Sequence, residues 1–375
     1  MTIKRGVSLY SYQQSQFFKQ LDLEGQVREV GANLGADGIE LIDEMSLHYP
    51  DPGQEFTRRW FSWMDQYGTT PVALDVQMDV LQFRDHVMTH EECAELLIHD
   101  IELAKSLGFG IVRTLSVVPI DIIEMALPHA EKLDIRLGKE IHQPMVLEGQ
   151  QVNEILELAD RTGSRHVGIV PDLGIFQFRP SEVQLEWFVR RGAQRSACDA
   201  AVELAVLLRD DNAPFGHIDM SAHTAGNLRA EFGRFLKTGG LVPEFADAFH
   251  GVKSWADANV EAPTELDYTV VAEALMLSHT SVDTLRELAA ADRITHVHGK
   301  FNNMSPVPGE ADRYQEISID YEPVIAALRA GGFEGYIDSE YEGQRYFQDR
   351  GIDDLEDEVE QVRRHQEMLT RLIAS

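Results

Sequence analysis

Only two cysteines, Cys93 and Cys198, occur in 375 residues, and they stand far apart with no CxxC unit. That argues against a disulfide framework or a thiolate zinc site and fits a reducing, cytoplasmic setting. No run of about 18 apolar residues is present, so no membrane span is expected. The opening stretch MTIKRGVSLYSYQQ has no apolar h-region followed by a small-residue cleavage site, so no secretion signal is expected. Phosphate-cradling motifs of the GxGxxG or GKS kind are missing, and so is a nucleophile elbow, which argues against nucleotide binding and serine-hydrolase chemistry. Basic residues are scarce too: 33 Lys and Arg face 63 Asp and Glu, a net charge of −30. Such a field repels phosphate backbones and anionic lipid heads, so neither nucleic acid nor a membrane surface is an expected partner. The same charge also serves plain solubility.

What is present is a repeating unit of β-rich run, polar turn and helical stretch. Eight strands are expected: Gly6–Tyr10, Asp37–Ile42, Pro71–Val76, Ile111–Leu115, Ile135–His142, Val167–Asp172, Ile294–Lys300 and Gly335–Glu340. Several follow a helix that stops on glycine, as in AKSLGFGIVRTL and ALRAGGFEGYIDSE. Alternating strands and helices argue for a parallel sheet, and eight repeats argue for closure into a (β/α)₈ barrel, one domain over residues 1–375. Apolar residues at three- and four-residue steps predict helices over Glu91–Leu107, Gln151–Arg161 and Glu322–Arg329, and LEDEVEQVRRHQEMLTRLI reads as a closing amphipathic helix. One connection breaks the rhythm. Residues 176–292, between the sixth and seventh strands, are far longer than a βα connection needs and carry helical patterns. They read as an insertion at the C-terminal rim of the barrel, either a lid or subunit contact, or a set of packing helices.

Four strands end in groups that are costly to bury without partners. Alternation places Gly138, Glu140 and His142 on one face of the fifth strand, His296, His298 and Lys300 on one face of the seventh, and Asp338, Glu340 and Glu342 on one face of the eighth. The sixth ends on Asp172. The group nearest each carboxyl end gives Glu140, Asp172, His298 and Glu340. Three carboxylates and one imidazole suit an oxygen-preferring divalent ion such as Mn²⁺, Mg²⁺ or Co²⁺ better than a structural zinc.

The segments DGIEL, LGKEIH, VGIVPDLG, HVHGKF and DSEYEG carry a resemblance to the xylose-isomerase-like barrels, whose metal site is Glu, Asp, His and Glu at the ends of the fifth to eighth strands. The resemblance covers nearly the whole chain outside the insertion. It implies sugar isomerisation, epimerisation or dehydration through an enediolate. Many members follow the seventh-strand histidine with lysine and aspartate; here HGKFNNM keeps Lys300 but lacks the aspartate. The length, the KEIHQP stretch and the rim insertion resemble, more closely, the α subunit of bacterial C-glycoside deglycosidases. That likeness implies Mn²⁺, a small β subunit, and cleavage of the carbon–carbon bond between an aromatic aglycone and a 3-keto glucose.

Such chemistry needs a group to move a proton. His142 is the expected acid/base, with a hydrogen-bonded rim histidine as the plain alternative. Glu140 and Glu340 would act beside it, both as metal ligands and on opposite sides of the sugar. Lys300 is expected to stabilise an oxyanion or to pair with a carboxylate. Glu40 is expected to bind a sugar hydroxyl. Arg113 is expected to touch substrate or to serve as an ion-pair partner. His217, Asp219 and His223 have a spacing that suits either a second metal or loop packing. A DNA-repair endonuclease of the same barrel would need more histidines and a basic rim, and a purely binding barrel would not need all four ligands.

Overall fold

The computed structural model describes residues 3–210, 212–216, 218 and 225–375. Eight parallel strands form one sheet: β1 (Lys4–Ser8), β2 (Gly38–Ile42), β3 (Thr70–Val76), β4 (Ile111–Thr114), β5 (Arg136–Ile141), β6 (Val167–Pro171), β7 (Val297–Phe301) and β10 (Tyr336–Tyr341). Between the last two lies an antiparallel hairpin, β8 (Met304–Pro306) with β9 (Tyr314–Glu316). The sheet order is β6-β5-β4-β3-β2-β1-β10-β7, and single bridges Ile169↔Ile294 and Asp172↔His298 join its two ends. The sheet is thus curled into the expected (β/α)₈ barrel.

The expected strands lie within a few residues of the observed ones. The exception worth noting is the seventh: regular pairing starts only at Val297, because Ile294 to His296 cross toward β6 through one bridge and the Thr295 N–H to Ile169 carbonyl bond. Helix His90–Ser106 shows how the connections are specified. Thr89 accepts from the Glu92 N–H while Glu92 reaches back to the Thr89 N–H, a reciprocal cap that fixes the start. Downstream, Gly108 takes the left-handed backbone that turns the chain into β4.

Segment 176–292 contains helices Glu182–Arg190, Arg195–Arg209, Ala225–Thr238, Ala246–Asn259, Glu265–Ala272 and Val282–Ala290. Its apolar residues, among them Phe188, Leu204, Phe232, Phe249, Val271 and Leu275, form a core of their own, separate from the barrel's. The helical pattern QLEWFVRRGAQRSACDAAVELAVLLRD forms two helices, parted at Gly192, which sits at φ 104°. Among the described residues no helix is long and apolar enough to cross a membrane. Both cysteines are buried and unpaired.

Candidate metal centre

A cavity of about 390 Å³ opens at the carboxyl ends of the strands, the face on which barrel enzymes carry their chemistry. Its floor is built by β5, β6, β7 and β10. Glu140, from β5, and Glu340, from β10, bring carboxylate oxygens to 3.1 and 3.5 Å from Nδ1 of His298 on β7. These three groups are buried and offer ligand atoms within 4.8 Å of one another. The strand-end alternation read from the sequence is what places them on a common inner face.

Asp172 lies on the adjoining wall and not in that trio. One of its oxygens accepts from the Gly174 N–H at 2.6 Å, and the other pairs with Nζ of Lys300 at 3.0 Å. Lys300 also holds Glu342 at 2.5 Å, and Glu342 is gripped from above by Arg345. A Cβ at Gly174 would lie 2.7 Å from Cδ of Lys300 and 2.9 Å from the Asp172 carboxylate, so a larger residue there would displace this ion pair. Lys300 is therefore both a wall of the cavity and an ion-pair partner, with burial opposing its charge but Asp172 and Glu342 holding its pKa well above the usual value.

Arg113 on β4 is 3.1 Å from Asp75 and 3.6 Å from Glu140. It lines the cavity, but its charge is committed to these carboxylates. Burial works against Glu140 being charged, yet Arg113 and His298 hold it below the usual carboxylate range. Glu340 behaves in the opposite way. Burial pushes it up to about 8, with His298 opposing and Asp172 adding to the push.

His142 stands on the cavity wall just beyond Glu140. Its Nδ1 lies 2.7 Å from the Gln143 carbonyl and its Nε2 lies 2.9 Å from Oγ of Ser116. A carbonyl can only accept, so Nδ1 carries the proton; in the neutral ring Nε2 is then an acceptor, and the Ser116 hydroxyl donates to it.

The expectation for Glu40 is corrected. It is wholly buried, does not line the cavity, and accepts from Nε2 of both His296 (2.5 Å) and His298 (2.9 Å) beneath the floor. A sugar hydroxyl cannot reach it there. His217, Asp219 and His223 lie outside the described residues.

Groups missed by the sequence reading come from the 176–292 segment. Glu273 receives hydrogen bonds from Gln184 (2.8 Å) and from Arg229 (3.1 and 2.8 Å), and all three line the cavity with Met276 and Leu277. Gln184 and Glu273 are buried and nearly a hundred residues apart, so no local pattern joins them.

No protein-family model matches the chain. Among curated proteins it is 26% identical over 339 residues to a 3′-dehydrocarminate deglycosidase alpha subunit from Microbacterium sp, covering 90% of this chain and 88% of that one. It is 28% identical over 343 residues to a C-glycoside deglycosidase alpha subunit from Arthrobacter globiformis, covering 90% and 84%. Among solved structures, the IOLI protein with a bound zinc atom aligns with a TM-score of 0.51 at 11% identity, covering 99% and 98%. D-psicose 3-epimerase in the presence of D-fructose aligns at 0.50 and 11%, covering the whole of both chains. In sequence, then, the chain is similar to C-glycoside deglycosidase alpha subunits, and in fold to the xylose-isomerase-like sugar isomerases and epimerases.

Proposed function

We propose that this chain is the catalytic subunit of a divalent-metal-dependent enzyme that cleaves the carbon–carbon bond between an aromatic aglycone and a 3-keto sugar by proton abstraction and elimination. The observation that carries this reading is the meeting of Glu140, His298 and Glu340, whose two carboxylates line a cavity that also holds His142. The donor set fits a cation. Oε2 of Glu340 is buried with no hydrogen-bond partner, an arrangement that a carboxylate tolerates poorly without a positive charge nearby. Glu140, His298 and Glu340, with Asp172 on the adjoining wall, would hold Mn²⁺, with Mg²⁺ or Co²⁺ as the alternatives. Bound there, the ion would supply Lewis-acid polarisation of the sugar's carbonyl.

The residues do the rest. His142 Nε2 takes the proton from the carbon beside the ketone, which that ketone has acidified. The freed electron pair forms a double bond to the carbon bearing the aglycone, and the carbon–carbon bond pair leaves with the aryl ring. The aryl carbon takes a proton back from His142, so atoms and charge balance without an oxidant or reductant. Lys300 is the cation available to an oxygen that gains charge, and Arg113 keeps Glu140 ionised. Met276, Leu277 and Tyr346 line the cavity and supply apolar and aromatic surface for an aglycone. We read residues 176–292 as an insertion into a single barrel domain, contributing that wall. Both curated relatives named above are alpha subunits, so we propose that this chain also works with a second, smaller β chain in the cytoplasm.

The test is incubation of the protein, alone and co-expressed with a candidate small subunit, with a 3-keto C-glucoside plus Mn²⁺ or a chelator. Free aglycone is expected with Mn²⁺ and none after chelation. Interconversion of free ketoses, with the aglycone left attached, would replace this reading by a sugar isomerase or epimerase. Aglycone release that survives both chelation and Glu340→Ala would remove the metal from the mechanism.

A further inference from the structure

Below the two carboxylates the barrel buries a second layer of ionisable groups: Glu40 on β2, Asp75 on β3, which reaches the cavity wall, His296 just before β7, His298 on β7, and Asp338 on β10. His298 belongs to both layers. Its Nδ1 faces Glu140 and Glu340, while its Nε2 faces Glu40 at 2.9 Å. Glu40 sits between the two histidines, its Oε2 meeting Nε2 of His296 at 2.5 Å as well. Four of these groups lie as close together as a metal site would need, but their bonding speaks otherwise. Asp75 already pairs with Arg113, and Glu40 already accepts from both imidazoles.

We propose that Glu40 is a positioning residue: through the Nε2–H of His298 it fixes that imidazole so that Nδ1 presents its lone pair to a divalent ion on the cavity floor. The inference rests on the metal reading above. Donors and acceptors decide the tautomer. An ionised carboxylate only accepts, so the Nε2 it bonds must carry the proton. A histidine ligates a metal only as the neutral ring, through an unprotonated nitrogen, and with the proton kept on Nε2 that nitrogen is Nδ1. The same bond sets the ring plane, because Glu40 is anchored by its strand and by His296. Asp75 is a poorer anchor, 4.0 Å from His298 Nε2. Asp338 touches neither nitrogen of His298, and its nearer oxygen is 4.0 Å from His296.

The test compares Mn²⁺ binding by wild type, Glu40→Gln and Asp338→Asn, with near-ultraviolet circular dichroism to confirm the fold. Glu40→Gln is expected to weaken Mn²⁺ affinity about 10- to 100-fold, as loss of an outer partner of a ligating histidine does. Asp338→Asn removes an equally buried carboxylate from the same layer, and is expected to change affinity by less than about threefold. Equal weakening in both variants would reduce Glu40 to a general electrostatic role and overturn the proposal; so would a Glu40→Gln variant that binds as wild type does. Two equivalents of metal per wild-type chain would also overturn it, because Glu40 would then be a ligand. If Glu40→Gln does not fold, the ¹⁵N-histidine spectrum of Zn²⁺-loaded wild type decides. His298 is expected to keep its proton on Nε2, and a proton on Nδ1 refutes the role. A wild-type chain that binds no divalent ion fails at the earlier step, the metal reading itself.

Discussion

His142 shows how much function a single side chain inherits from two neighbours. The Gln143 carbonyl fixes the proton on Nδ1, and Ser116 marks Nε2 as the end that accepts. Replacing His142 by Ala should lower kcat for aglycone release by about 10²- to 10⁴-fold, the usual worth of a general acid–base group, while leaving bound metal unchanged. Ser116→Ala should lower it less, since the Gln143 bond remains. Steady-state kinetics beside elemental analysis checks both, and loss of metal in His142→Ala would mean that the residue holds the site together instead. Sequence pattern reached Glu140, His298 and Glu340 because alternation tells which face of a strand a residue occupies. It does not tell depth along the barrel axis. Glu40 lies two residues before the carboxyl end of an equally plausible strand, and there it is wholly buried while Ile42 reaches the cavity. Ser116 carried no signal of its own, being an ordinary serine in a βα loop.

At the scale of elements, the eight barrel strands were legible because each is a β-rich run and several follow a glycine helix stop. The β8–β9 hairpin was not, since three-residue strands leave no period to read. Helices Ala225–Thr238, Ala246–Asn259 and Val282–Ala290 were also not singled out; their apolar faces meet one another or the barrel, and only the assembled layer reveals the pattern. Strand β1 offers a sharper point. Gly6 stands beside Asp338 in register, and a Cβ at Gly6 would fall 1.8 Å from the Asp338 carboxylate and 3.0 Å from the Gly38 carbonyl. The glycine is there to admit a buried acid on the next strand. Gly6→Ala should cost about 1–3 kcal/mol, the range for overpacking a tight interior. Gly110→Ala, where nothing lies within 4 Å of the added methyl, should be close to neutral. Urea midpoints for the two variants settle the comparison, and equal midpoints would show that β1 and β10 part easily.

For the molecule as a whole, net charge and the buried carboxyls act in one direction on pH, and the buried imidazoles of His296 and His365 act in the other. The chain carries a net −30, so loss of protons increases self-repulsion in the compact state. Three carboxyls away from the cavity floor add to this. Burial raises Asp43 to about 7, Asp100 to about 6 and Glu358 to about 7, despite backbone donors or Tyr49 favouring their ionised forms. A carboxyl that binds its proton more tightly when folded stabilises the fold fully below its unfolded pKa of about 4, and loses that contribution as pH rises through the folded value. Groups shifted the other way, such as Glu360 at about 2 beside Arg363 and Arg364, withdraw support only as pH falls below about 4.5. Between pH 8 and pH 6 the two sets of carboxyls therefore do not compete; the opposing groups are the buried imidazoles of His365, which burial lowers to about 3, and His296, which withdraw support as pH falls through the unfolded histidine value of about 6.5. The chelated protein should melt at a higher temperature at pH 6 than at pH 8 when ionic strength is held constant. Raising salt at pH 8 should recover part of the difference by screening the surface charge, but not the part that belongs to Asp43, Asp100 and Glu358, which are shielded from solvent. A melting temperature that falls from pH 8 to pH 6 would show that the three acids contribute less than His296 and His365 withdraw, and so that the interior solvates their ionised forms better than their burial implies.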